Sequence, residues 1–371
     1  MDLTRRFSFG INLDDAWRYA GAKAPKSIIF PHLISLGLPE GRALDQVEDF
    51  VIRLHKEREP STAAARASLA LADMLSDARV DFVRCWFSWN FFEPTPCPRE
   101  GLARLLDDSY PEFPMDSLVR TLSEKGIGLV PVIACGYQRM LPEGLSVDRV
   151  EYVRRAYIHA RLLVRRYRGQ VRFWQIENEP NWWEMHSVGG WRSGASWVES
   201  TGFREELLKA LNDAVHEEDQ KALTIINLEG DAKDIGAGRF AGYCDILGLD
   251  FYPNYKSSAP IDTSVFRRAT EAWRETGKPV VISETGYPSG PGVLGYSEQR
   301  QAEYVQAACS EAYGLEGVSA VGIWRYTDTP WRSFPEQENH FGLMDRDGRP
   351  KPAWRGYAAS IRSLADRPVT S

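Results

Sequence analysis

The 371-residue sequence predicts a (β/α)8 TIM barrel. Three observations carry this expectation. Eight short apolar runs rich in Val, Ile and aromatics recur along the chain, and helical patterns separate them. Two of the runs stop at a glutamate that a chain-turning Pro or Gly follows closely. Runs of this kind read as strands buried on both faces, and strict strand–helix alternation builds a parallel sheet.

The strand candidates, in order, are residues 7–12, 82–86, 128–134, 173–178, 223–228, 246–251, 280–284 and 320–324. Helical patterns follow at 62–76, with Ser61 or Thr62 as N-cap, and at 115–124, 150–167, 203–217, 265–275, 298–313 and 352–364. The fifth connection (229–242) has room for a short helix at best. A barrel of this class takes about 250 residues, so roughly a third of the chain is expected as insertions. The largest spans 18–60, with an amphipathic helix near 42–56; the others are 181–202 and 327–345, after strands four and eight. All three belong to the catalytic-face loops at the carboxyl ends of the strands. With no linker, repeat or low-complexity tract, residues 1–371 read as a single domain.

Bulk composition excludes several function classes. A hydrophobic share of 43% is ample for a packed core. The net charge of −6 argues against nucleic acid as a partner, because phosphate binding needs clustered basic charge. The basic run 161–168 reads as the solvated face of a helix. The start of the chain has no apolar segment long enough for a signal peptide or membrane span, and the expectation is a cytoplasmic protein without a membrane partner. Five scattered cysteines, an odd number without metal-type spacing, suit a reduced compartment.

Two glutamates stand out. Glu179 follows strand four in Asn178-Glu179-Pro180, and Glu284 closes strand seven in Ser283-Glu284-Thr285-Gly286. Carboxylates at the carboxyl edge of a barrel can divide acid and nucleophile work, as glycoside cleavage requires. A general acid needs a raised pKa; Trp174, Ile176, Trp182 and Trp183 supply an apolar setting for Glu179, and an ionised Glu284 a negative one. Asn178 is positioned to bond a sugar hydroxyl. A nucleophilic carboxylate stays ionised beside donors and cations, and Arg84 and Tyr252 end strands two and six on the same side. The plainer alternatives are a surface turn at Asn178-Glu179-Pro180 and a structural ion pair between Arg84 and Glu177. Of the twelve Trp, eight (Trp86, Trp89, Trp182, Trp183, Trp191, Trp197, Trp324 and Trp331) lie in polar, Gly/Pro-rich stretches, where an indole can stack on a sugar ring or simply pack.

In this order, the motifs resemble those of the clan A glycoside hydrolases, retaining barrel enzymes with catalytic glutamates on strands four and seven. Residues 82–89 through Glu93-Pro94 are similar to the clan's strand-two segment, and Asn178-Glu179-Pro180 to its acid/base motif. Asp250-Phe251-Tyr252-Pro253 resembles the segment whose Tyr bonds the nucleophile. Glu284-Thr285-Gly286-Tyr287-Pro288-Ser289 is similar to the nucleophile segment, especially that of endo-β-1,3-glucanases and β-1,4-galactanases. Trp324 matches the Trp that floors the cleavage subsite, and residues 341–353 resemble a tail common in the clan.

The resemblance implies a retaining double displacement on β-linked oligo- or polysaccharide. Glu284 is the nucleophile and Glu179 the acid/base; Arg84, Trp89, Asn178, Trp182, Tyr252 and Trp324 contact substrate; no cofactor or metal is required. Many clan members carry a His on strand three or six, where this chain has Ala134-Cys135-Gly136-Tyr137 and Tyr252; His186 and His340 are the candidates to stand in. A non-catalytic carbohydrate-binding barrel is expected to have lost one glutamate, and both are present. A metal-dependent hydrolase needs clustered ligands at strand ends, and none of the six His lies at one. Transglycosylation uses the same residues. Which sugar, endo or exo cutting, and oligomeric state are left open by the sequence.

Overall fold

The structure is a computed structural model, and it describes residues 7–13, 60–87, 89–93, 115–135, 148–181, 202–329 and 335–365. Residues 18–59 of the insertion expected at 18–60, with its helix near 42–56, as well as Cys97, Trp182, Trp183, His186, Trp191, Trp197 and Trp331, lie outside the described residues.

Eight parallel strands close a barrel in chain order, each hydrogen-bonded to the next and the last to the first. They are β1 (Ser8–Leu13), β2 (Phe82–Trp86), β3 (Gly128–Val132), β4 (Phe173–Asn178), β5 (Leu223–Glu229), β6 (Ile246–Phe251), β7 (Val280–Thr285) and β8 (Val318–Ile323). All eight expected strands are present. Their ends shift by two residues at most, and Trp324 falls just beyond β8 instead of ending it.

The helices are α1 (Pro60–Asp77), α2 (Trp89–Phe92), α3 (Asp116–Glu124), α4 (Arg149–Tyr167), α5 (Phe203–Glu218), α6 (Ala237–Phe240), α7 (Arg267–Thr276), α8 (Glu298–Gly314) and α9 (Pro352–Ala365). Because α1 already includes Pro60, Ser61 and Thr62 lie within its first turn and do not cap it. Two caps follow local chemistry. Asp148 accepts from the Glu151 N–H at the start of α4 (2.9 Å), and Ser297 accepts from the Arg300 N–H at the start of α8 (3.2 Å). Gly277, at φ +67°, ends α7 in the left-handed conformation that costs glycine little.

The basic run of α4 is a seam between helices, not a solvated face. Arg161 and Arg165 pair with Glu218 of α5 at 2.6 and 2.8 Å, and Arg166 pairs with Asp116 of α3 at 2.5 Å. Sequence periodicity showed where the arginines lie on α4 but not that acidic partners from neighbouring helices meet them.

Inside the barrel, Phe82, Val130, Phe173, Ile225, Ile246, Val281 and Ala320 form an apolar plug; the larger core fills the space between strands and helices. Close approach requires glycine at Gly322: a Cβ there would stand 2.5 Å from the Ser283 carbonyl oxygen and 3.2 Å from Asn12 Nδ2. Backbone cannot yield as a side chain can. Gly322→Ala is therefore expected to destabilise the protein by about 1–3 kcal/mol, read as a lower midpoint of denaturant unfolding; an unchanged midpoint would show that β7 and β8 can spread apart.

Candidate active site

Above the apolar plug, alternate inward positions become polar. Asn12 (β1), Arg84 (β2), Gln175 (β4), Asn227 (β5), Asp250 (β6) and Ser283 (β7) are all buried, and their side chains bond to one another. The Gln175 amide donates to Asn227 Oδ1 (2.6 Å), Asn227 donates to Asn178 Oδ1 (2.9 Å) and to Asp250, and Ser283 Oγ donates to Asp250 Oδ1 (2.6 Å). Asn12 donates to the carbonyls of Ser283 (3.0 Å) and Ile323 (3.3 Å). A buried polar layer satisfied in this way is rigid, because every broken bond leaves an unpaired group away from water.

Arg84 is the hub. Its guanidinium donates to Gln175 Oε1 (2.5 Å), Asn12 Oδ1 (2.7 Å) and Asn178 Oδ1 (2.8 Å), and pairs with Glu284 Oε1 at 2.5 Å. The ion pair of Arg84 thus goes to Glu284. Glu177, the alternative partner, is set in the sheet beside Ile226 on the outer side, where its charge acts on Cys135 and Tyr152.

Two irregularities of register explain why alternation misplaces Glu177 and Glu284. Between β4 and β5 the pairing shifts after Gln175, so Asn178, opposite Asn227, faces inward. Between β6 and β7 the partner of Leu249 is Ile282 and that of Asp250 is Glu284, leaving Ser283 as an extra residue. The bulge lets Ser283 join the polar layer while Glu284, the next residue, also reaches the mouth.

The two glutamates differ in setting. Glu284 is gripped by Arg84 and accepts from the Tyr252 hydroxyl at 2.6 Å. Burial, then the charge of Glu284, pushes the Tyr252 phenol well above its usual range, so it stays a donor. Glu179 is buried, and its pKa is raised well above the carboxylate range by burial first, then by the charges of Glu284 and Glu229; Arg84 and the Asn178 amide (3.3 Å) oppose the rise. Its backbone has φ +43°, the left-handed region uncommon for a non-glycine residue, and its N–H is held by the carbonyl and Oδ1 of Asn227 (both 3.1 Å). Strain of this kind persists where surrounding bonds over-determine the conformation, as at functional sites.

The structure therefore brings Glu179, Glu284, Arg84, Asn178 and Tyr252 together. Trp324 is half-buried at the head of β8, its N–H donating to the Thr285 carbonyl (2.8 Å). Trp89 is not at the mouth. It is fully buried, stacks on His159 (5.2 Å between centroids), meets Tyr152 edge-on and donates from Nε1 to Glu93 (2.8 Å). Its place beside polar residues suggested a sugar platform, but α2 turns it into the layer between strands and helices. Trp182 lies outside the described residues. The ring of His340 is half-buried against Gly290, and burial lowers its pKa. The sequence had one unused signal for Asn12, Gln175, Asn227, Asp250 and Ser283: each is a polar residue within an apolar strand run.

Among the described residues, no group of three or more His, Cys, Asp or Glu is arranged to hold a metal, and no helix is long and apolar enough to cross a membrane. The described cysteines, Cys85, Cys135, Cys244 and Cys309, are buried thiols.

No protein-family model matches the chain. In sequence, it is 26% identical over 213 residues to endo-1,4-beta-xylanase B of Thermotoga neapolitana, a match spanning 53% of this chain and 58% of that protein. The chain thus covers little more than half the length of this relative. In structure, it is similar to GH5_18 of Streptomyces cattleya in complex with GlcNAc, with a TM-score of 0.67 at 19% identity, covering 99% of this chain and 82% of that one. A variant of the same enzyme in complex with Manβ1-4GlcNAc gives 0.64 at 19% identity, covering 83% and 78%. What these likenesses show is the fold: the chain is a (β/α)8 barrel, as those enzymes are.

Proposed function

We propose that the protein is a glycoside hydrolase that cleaves β-linked oligo- or polysaccharide with retention of anomeric configuration. The observation that carries this is the contrast between two neighbouring carboxyls: Glu284 is held by a guanidinium and a phenol, while burial and negative neighbours raise the pKa of Glu179 and favour its protonated form. Opposite environments are how a barrel sorts one carboxyl into nucleophile and another into acid.

In the first step, Glu284 attacks the anomeric carbon as Glu179 protonates the departing glycosidic oxygen. Arg84 and Tyr252 orient the attacking carboxylate. Asn178, fixed through its Oδ1 by Arg84 and Asn227, turns its amide toward Glu179 and the substrate hydroxyls. Once Glu284 is esterified, it no longer repels charge on Glu179, whose pKa falls; Glu179 then deprotonates water to release the sugar. Trp324 offers its ring as the floor of the cleaved unit. The half-length match to a xylanase and the fold shared with enzymes of the GH5_18 group favour a neutral β-linked substrate. The same geometry serves transglycosylation when a sugar hydroxyl replaces water.

The test is turnover of a panel of β-linked oligosaccharides and aryl glycosides, with products read by mass. Cleavage by the wild type that Glu284→Gln lacks is expected. Sugar binding without any cleavage would favour the non-catalytic carbohydrate-binding barrel.

A further inference from the structure

Glu229 closes β5, and no step above uses it. Its direction follows from alternation along the strand: Leu223 and Ile225 pack at the barrel interior and Asn227 joins the polar layer. Glu229, two residues on, therefore faces the mouth one level above Asn227. Its backbone is tied to the acid: the Glu229 N–H donates to Asn181 Oδ1 (2.9 Å) and its carbonyl accepts from Asn181 Nδ2 (3.1 Å), only two residues after Glu179. Asn181 thus holds Glu179 and Glu229 in one frame.

The Glu229 side chain is half-buried at this rim. Burial, then the charge of Asp231, raises its pKa, opposed by Arg268, Lys256 and a backbone bond from Ala232. The guanidinium of Arg268 is occupied by the carbonyls of Gly230 and Ala232. Among the described residues no ion pair holds the Glu229 carboxyl. It is an acceptor of defined orientation beside the group that protonates the leaving oxygen.

We propose that Glu229 is a substrate-contacting specificity residue whose carboxylate accepts hydrogen bonds from hydroxyls of the leaving-group sugar and disfavours a uronate there. This rests on the glycosidase function proposed above. Hydroxyl-to-carboxylate bonds are charge-assisted and strong in a half-buried site. A uronate would bring a further negative charge beside Glu229, Glu284 and Asp231, offset among the described residues by Lys256, Arg268 and Arg84.

The test compares wild type with Glu229→Gln on a neutral β-linked oligosaccharide and on a nitrophenyl glycoside of the same glycone, which has no leaving-group sugar. Thermal unfolding of both proteins checks that the variant is folded, and Glu229→Asp serves as the conservative variant. The oligosaccharide is expected to lose roughly 10- to 100-fold in kcat/KM, mostly through KM, and the nitrophenyl glycoside much less. Glu229→Asp should recover part of the loss. Glu179 is faced by Glu284, Glu229, Asp250 and Arg84. Removing one negative charge from this set lets Glu179 deprotonate earlier, so the alkaline limb for the oligosaccharide should move to lower pH by roughly half a unit. Equal losses on both substrates with an unmoved limb, or no loss at all, would overturn the proposal while leaving the glycosidase function standing. A folded wild type inactive on both substrates would overturn the glycosidase function and this proposal with it.

Discussion

Glu284→Ala is expected to lower kcat on an oligosaccharide by at least about 10⁴-fold, because the proposed mechanism makes Glu284 the group that attacks the anomeric carbon. Azide added to this variant should restore part of the rate by entering the space the carboxylate leaves. It would attack from the face opposite the leaving group, so the product is the α-glycosyl azide, of inverted configuration. Rescue depends on Arg84 and Tyr252 staying in place, because they then attract the anion as they held the carboxylate. Substantial turnover by Glu284→Ala without azide would remove Glu284 from the mechanism.

Glu179→Ala should separate substrates by the basicity of the leaving group. An oligosaccharide leaves as an alkoxide unless protonated, and loses about 10²–10⁴-fold when the general acid is removed. A dinitrophenyl glycoside departs unaided and forms the glycosyl-enzyme at a rate much closer to wild type. Its release then slows, because the proposed mechanism also makes Glu179 the base for water, and azide should accelerate it with a β-glycosyl azide as product. The same assignment fixes the sign of the pH profile. Burial, then the charges of Glu284 and Glu229, raise the Glu179 pKa and favour its protonated form, so activity is lost as pH rises through that raised pKa. In Glu179→Ala the alkaline limb should disappear for the dinitrophenyl substrate. Equal losses on both substrates would place the acid elsewhere.

The barrel was legible because each strand is a short apolar run and each helix has room between two of them. Ile246–Phe251 and Phe173–Asn178 could be bounded to the residue. The candidate pair, Glu179 and Glu284, was legible because carboxylates interrupt apolar runs at their ends. What alternation could not supply was register. A bulge at Ser283 turns both Ser283 and Glu284 inward, and the shift after Gln175 sends Glu177 out and Asn178 in. Arg84 was therefore readable as a barrel-interior cation, while its partner was decided by backbone irregularities that no period-two pattern encodes. Trp89 shows the converse limit. Composition around it spoke for an exposed loop, but the short helix it begins packs its indole on His159.

The most direct test of retention, the central claim, is the anomeric configuration of the first product, followed by proton NMR within minutes of mixing wild type with a β-linked oligosaccharide. Two displacements at one carbon return the original configuration, so the β-anomer should appear first and drift to the equilibrium mixture by mutarotation. An initial α-anomer would mean a single displacement by water, with Glu284 acting as a base, and would contradict the account.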